Sequence, residues 1–175
     1  RHYGFTPRHP RHLPNVIDEP SVLDYRPQHQ CATGLNFNEP ASDGTTFGPD
    51  WWRHDALVTG YSRGKLYRTK LAQTSAGYVG QNQIIGATNM LPADACVAPD
   101  RSLVIAVHSG GPDWGSGPSG EGKLYKVTYE ERDDAPIPSL VWAESPREVR
   151  IAFDRPVDPA TLKDLAKRIS IDGGE

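Results

Sequence analysis

Methionine occurs once and cysteine twice in the 175 residues of this chain. Cys31 and Cys96 form no C-x-x-C pair, and no C-x-x-C-H haem-attachment sequence is present. That argues against zinc held by cysteine and against covalently attached haem, and no metal site is expected. Neither sign of charge is in excess: 19 basic and 22 acidic side chains leave a net charge of −3. Such a balance gives no electrostatic reason to expect a nucleic acid or a membrane surface as partner. No apolar run is long enough to span a bilayer, and no secretory signal pattern is visible. A chain that opens on Arg1 is expected to be a piece of something longer.

Glycine and proline are plentiful, 17 and 16 residues. That density punctuates short elements and works against long helices. The runs between the turns are rich in aromatic and β-branched residues, so the expected class is all-β. Residues 1–30 read as an irregular segment, because the histidine-, arginine- and proline-rich opening favours open backbone. Strands are expected from "CATGLNF" onward, then in "DALVTGY", "KLYRTKL" and "QNQIIGA". In "KLYRTKL", Leu66 and Tyr67 lie among the charged Lys65 and Arg68, as on a half-exposed strand.

The second half of this region repeats the first. "DALVTGYSRGKLYRTKL" returns as "SLVIAVHSGG…GEGKLYKVTY". Leu57 aligns with Leu103 at a shift of 46, and Gly64 with Gly122 at a shift of 58. The second copy therefore gains about twelve residues in its central turn. Repeats of this length with three or four strands each are the mark of propeller blades, so residues 31–130 read as two blades. The chain changes character after Tyr129. Residues 131–138 form a charged, proline-bearing linker, and 139–175 read as the opening of an immunoglobulin-like sandwich, cut short of the length such a domain needs. There "EVRIAF" is an expected strand and "DPATLKDLAKRI" a short helix, with Asp158 as N-cap and Pro159 at its first position. "ISI" is expected to start a further strand.

The pattern "WW…HDALVTGYSRGKLYRTKL…LPADACVAPDRSLVIAVHSGG…GEGKLYKVTY" resembles the C-terminal blades of the glucose/sorbosone dehydrogenase family. The resemblance implies the terminal blades of a six-bladed β-propeller followed by the start of an immunoglobulin-like domain. It also implies a bacterial oxidoreductase of periplasmic or extracellular location, acting on a carbohydrate or small alcohol and completed by further blades or a partner chain. Family members bind pyrroloquinoline quinone and calcium. The positions that carry quinone-pairing cations in the family are Ser62, Leu91 and Ala93 here, whereas Asp94 is kept and Arg63 stands beside the first of them. The family's catalytic histidine falls outside this chain. A charge-assisted hydrogen bond to a carboxylate contributes about 1.5–3 kcal/mol. Three missing cations therefore argue against quinone binding. They leave a non-catalytic propeller that binds carbohydrate or a protein, or a structural piece of a multidomain extracellular protein, as the competing readings.

Other residues bear on function without the resemblance. "GSGPSG", Gly115 to Gly120, matches a dinucleotide-binding spacing, but a strand rather than a helix follows it. "HSGGPDWGSG" carries His108, Asp113 and Trp114 on a glycine-rich excursion, an aromatic ring beside a carboxylate that suits a sugar. His54 and Asp55 are neighbours on an extended segment and point apart, so they make no dyad. Asn38, Glu39 and Asp50 offer oxygen atoms suited to calcium, without the spacing of a known loop. Cys31 and Cys96 fall on the first strands of consecutive repeats, which leaves a disulfide open if their Cα atoms come within about 7 Å.

Overall fold

The structure, a computed structural model, describes residues 31–39, 44–75, 77–111, 120–131 and 135–170. Among the described residues, nine strands make three antiparallel sheets. The first is a four-stranded meander of β1 (Ala32–Phe37), β2 (Ala56–Gly60), β3 (Lys65–Thr74) and β4 (Gly77–Ala87). The second is a three-stranded meander of β5 (Leu91–Val97), β6 (Leu103–His108) and β7 (Lys123–Val127). The third is the hairpin of β8 (Pro138–Ser145) and β9 (Glu148–Phe153). Helix among the described residues is confined to single 3₁₀ turns, so the chain is all-β, as its punctuation and β-branched runs predict.

The two G-K-L-Y segments form the third strand of consecutive sheets, β3 and β7. The register of the repeat differs by one residue from the sequence alignment. Gly60 pairs with Lys65 in the first sheet, and Val107 pairs with Lys123 in the second. Residue 60 is thus equivalent to 107, and Leu57 to Val104 rather than to Leu103. The common letters "LV" had suggested otherwise. A slip of one residue turns every side chain of a strand to the opposite face. The insertion in the second copy is eleven residues, not twelve. The first strands match as well: each carries a bulge near its start, between Ala32 and Leu35 in β1 and between Pro92 and Asp94 in β5.

The first two sheets pack face to face. Leu57 and Leu66 from one side meet Ala95, Leu103, Ile105 and Val107 from the other, with Phe47 closing the cluster from the β1–β2 link. A leucine as fully buried as Leu103 contributes about 1.5–3 kcal/mol. The link is held by Asn38, itself fully buried. Its amide donates to the Phe47 and Trp52 carbonyls at 2.8 and 2.9 Å, and its oxygen accepts from the Phe47 N–H at 2.9 Å. The first strands lie side by side in the same direction. The Thr33 hydroxyl donates to the Pro92 carbonyl at 2.9 Å, and the Asn36 amide to the Ala95 carbonyl at 2.6 Å. Gly34 is required by this approach, because a Cβ there would overlap Asp94 Oδ1 and lie 2.8 Å from Asp94 Cα.

Several local expectations are corrected. β3 is covered on both faces rather than half-exposed, and Arg68 is as buried as Tyr67, each 2% accessible. The segment after Asp158 is not one helix. Asp158 does cap it, its carboxylate accepting from Ala160 N–H at 2.9 Å, and Pro159 does stand first. The helix breaks into two short turns, Pro159–Leu162 and Leu165–Arg168, at Asp164, whose φ is 61°. A segment this short is marginal without a packed face. Ile169 and Ser170 are not in a strand.

Candidate functional site

Each hairpin of the two main sheets has one end at the tip of its central turn. In the first sheet that turn is Tyr61–Arg63, a single 3₁₀ turn closed by Gly64 in the left-handed region, φ 61° and ψ 31°. Glycine adopts this conformation without steric cost. In the second sheet the turn leaves from His108. It returns beside Gly120, where a Cβ would lie 3.6 Å from Ser109 Oγ, so the long excursion starts and ends at one place.

The two tips meet. The ring of His108 stands edge-on to Tyr61, with centroids 5.9 Å apart. His108 also pairs across the sheet with Leu91, the first residue of β5. Tyr61 N–H donates to the Cys31 carbonyl at 2.8 Å, and Cys31 N–H donates to Ser62 Oγ at 3.3 Å, which ties the start of β1 to the same end. The Thr88 N–H donates to the Gly64 carbonyl at 2.7 Å. One end of the molecule therefore gathers a phenol, an imidazole and the exposed guanidinium of Arg63.

The positions singled out in the sequence divide between this end and the core. Ser62 is buried and accepts from Cys31 N–H, and Leu91 is inaccessible. Asp94 lies further along β5 and is exposed, but its Oδ1 accepts from the Asn36 amide at 3.1 Å and from Ala95 N–H at 2.8 Å. That carboxylate oxygen is engaged in holding the first strands together. Asp113 and Trp114 lie outside the described residues.

Cys31 and Cys96 are both free. Cys31 precedes β1 at the end where the tips meet, and Cys96 is the sixth residue of β5, next to the opposite end. With the first strands running in the same direction, about five residues of strand separate them, on the order of 16 Å at about 3.3 Å per residue. This is well beyond the reach of a disulfide.

The oxygen atoms of Asn38, Glu39 and Asp50 do not converge. Asn38 is consumed by backbone contacts, Glu39 pairs with His54 Nδ1 at 2.9 Å, and Asp50 is exposed. Among the described residues no group of three or more His, Cys, Asp or Glu side chains is placed to hold a metal ion. His54 and Asp55 make no dyad, although not as neighbours on an extended segment: His54 lies in a turn with φ 67° and reaches outward to Glu39, whereas Asp55 faces inward to Arg68 and Lys70.

Two further features were not anticipated in the sequence. Asp55 is buried with Arg68 and Lys70, at 3.6 Å from Arg68 Nε and 3.3 Å from Lys70 Nζ. Arg68 also lies 4.6 Å over the Trp52 ring and donates to Gln83 at 2.8 Å. Burial raises the Asp55 carboxyl above its ordinary range despite both cations, and burial also lowers Arg68. The two-residue spacing of Arg68 and Lys70, which puts both on one face of a strand, was the available signal.

The second feature is a groove of about 550 Å³ at the end opposite the tips, lined by Trp51, Asp50, Asp100, Arg101, Tyr129 and Glu131 among others. Asp100 is held at about 2, first by the hydrogen bond from Lys126 and then by those from Ser102. Comparison of the chain with protein-family models, curated proteins and solved structures yields no match.

Proposed function

We propose that the two meander sheets are consecutive blades of a β-propeller of the glucose/sorbosone dehydrogenase type, and that the end where the tips meet binds a carbohydrate. The reading rests on the internal repeat and on one contact above all: His108 and Tyr61 are 5.9 Å apart at the junction of the two tips. Aromatic and imidazole edges there suit the mixed apolar and hydroxylated surface of a sugar, and loops at one end of a rigid scaffold are the usual place for such contacts. Arg63 adds a donor for ring hydroxyls.

This ligand is a neutral sugar rather than the quinone. Two positions where the family carries quinone-pairing cations are the buried Ser62 and Leu91. A cation at Leu91 would need a buried counter-charge, and burying an unpaired charge costs several kcal/mol. The proposed role is therefore carbohydrate recognition, with any oxidation of that sugar performed by residues other than these.

Calorimetric titration of the intact protein with a panel of neutral mono- and oligosaccharides tests the reading. The expected result is saturable binding that weakens about tenfold or more in His108→Ala and Trp114→Ala and is unchanged in Trp51→Phe, at the opposite end. Saturable binding of pyrroloquinoline quinone, or sugar binding that depends on Trp51 and ignores His108, overturns it.

A further inference from the structure

The repeat sets two copies of one motif in different surroundings. In β3 the segment K-L-Y-R is paired on both sides, with β2 and with β4. Among the described residues, the segment K-L-Y-K in β7 pairs with β6 alone, and β7 is the outermost described strand of its sheet. Tyr67 is 2% accessible and its equivalent Tyr125 is 39%. Among the described residues no hydrogen bond satisfies the outer side of the β7 backbone. A row of unpaired N–H and C=O groups is a template for another strand.

The first sheet shows what such a strand looks like. Opposite Leu66, Tyr67 and Arg68 stand Gly86, Ile84 and Gln83, and the register shifts between Leu66 and Tyr67, so that Ile85 is left out of the pairing. Gly86 leaves room above Leu66, a Cβ there meeting the Leu66 side chain at 3.6 Å. Gln83 accepts from the arginine. In β7 the corresponding cation is Lys126, paired on its accessible side with Asp100.

We propose that the outer edge of β7 is a docking site for an extended strand of β4 type, added antiparallel, reading hydrogen-bond acceptor, aliphatic, any residue, small residue along its own direction. The acceptor would lie opposite Lys126, the aliphatic side chain opposite Tyr125 and the small residue opposite Leu124. Main-chain bonds supply the affinity and the three side chains the register. This inference goes beyond the carbohydrate reading and does not depend on it, because it concerns the sheet edge and not the tips.

The probe is a synthetic peptide of the β4 sequence, GYVGQNQIIGA, added to the intact protein while backbone amide exchange is followed. At a peptide concentration about ten times its dissociation constant, the β7 amides are expected to exchange about tenfold more slowly. A peptide with proline in place of the adjacent paired residues equivalent to Asn82 and Gln83 is expected to lose the effect, since successive N–H groups point to opposite edges and one of the two removed donors faces β7; both changes lie in the probe, so folding of the protein is untouched. Unchanged β7 exchange, protection confined to β4 or β1, or a β7 edge already closed by self-association of the free protein would each overturn the proposal.

Discussion

At the scale of single residues, Asp55 and Arg68 show how far a charged pair can be carried into a β-sheet interior. Both are 2% accessible, and neither Asp55 Oδ2 nor Arg68 Nε has a hydrogen-bond partner among the described residues. Removing one member leaves the other buried and uncompensated, so Asp55→Ala is expected to lower stability by about 3–5 kcal/mol in urea unfolding. The pH dependence has a definite sign. Because burial raises the folded-state value of Asp55 above that of the unfolded chain, its favourable contribution is complete below the unfolded value of 3.8 and is lost as pH rises through the higher folded value. The difference in stability between the wild type and Asp55→Asn should therefore shift in favour of Asn as the pH is raised across that window. A difference that is flat with pH would mean that Asp55 titrates alike in both states. The shared face of Arg68 and Lys70 was legible from their two-residue spacing, but their burial was not, because Arg68 reads as the outward member of an alternating strand. The reason is that β3 is covered on both faces, and a single strand does not reveal how many neighbours its sheet will have.

At the scale of elements, the repeat itself was readable and its register was not. Turn residues and the recurring G-K-L-Y fixed the third strands, and the structure places both in the same rank of their sheets. The second strands were misaligned by one residue because "LV" recurs at a position where the pleat requires "AL" to match "LV". Only cross-strand pairing, Gly60 with Lys65 and Val107 with Lys123, decides between them. The helix after Asp158 shows the same limit: its cap was visible, while its break at Asp164 was not. Of the proposed site, His108 was legible as the foot of a glycine-rich loop, but its partner Tyr61 was not, since nothing local announces that two turns distant in sequence will touch. The long β6–β7 connection allows a direct measurement. Cutting it back to the length of the Tyr61–Gly64 turn shortens the link between paired residues roughly threefold. Loop-closure entropy then predicts a gain of about 1 kcal/mol in folding stability. The same variant should lose carbohydrate binding. A large loss of stability instead would show that the loop packs on the sheets.

At the scale of the molecule, the arrangement of faces is directional. The side of the first sheet bearing Leu57 and Leu66 meets the side of the second bearing Ala95, Leu103 and Ile105. By the repeat, the outer side of the second sheet corresponds to the first of these, and it presents Leu124, 74% accessible, where Leu66 is 4%. Leu124→Lys is therefore expected to leave urea stability within about 0.5 kcal/mol, as for other exposed substitutions, and to reduce self-association measured by light scattering at high concentration. A marked drop in stability would show that Leu124 is already covered. The third sheet does not cover this surface. It meets the first sheet instead, where Glu144 accepts from Ser75 N–H at 3.3 Å.

Units that join in this way resemble overlapping roof tiles: each carries an upper and a lower lap, and the joint between any two is made from unlike halves. A tile of that kind contains no instruction about how many there should be. Tandem duplication of the coding segment for one meander would deliver both laps ready to fit, so this construction lends itself to lengthening by copying. The count must then be limited by something outside the joint, such as closure of the row on itself or a final unit whose lap has been filed smooth.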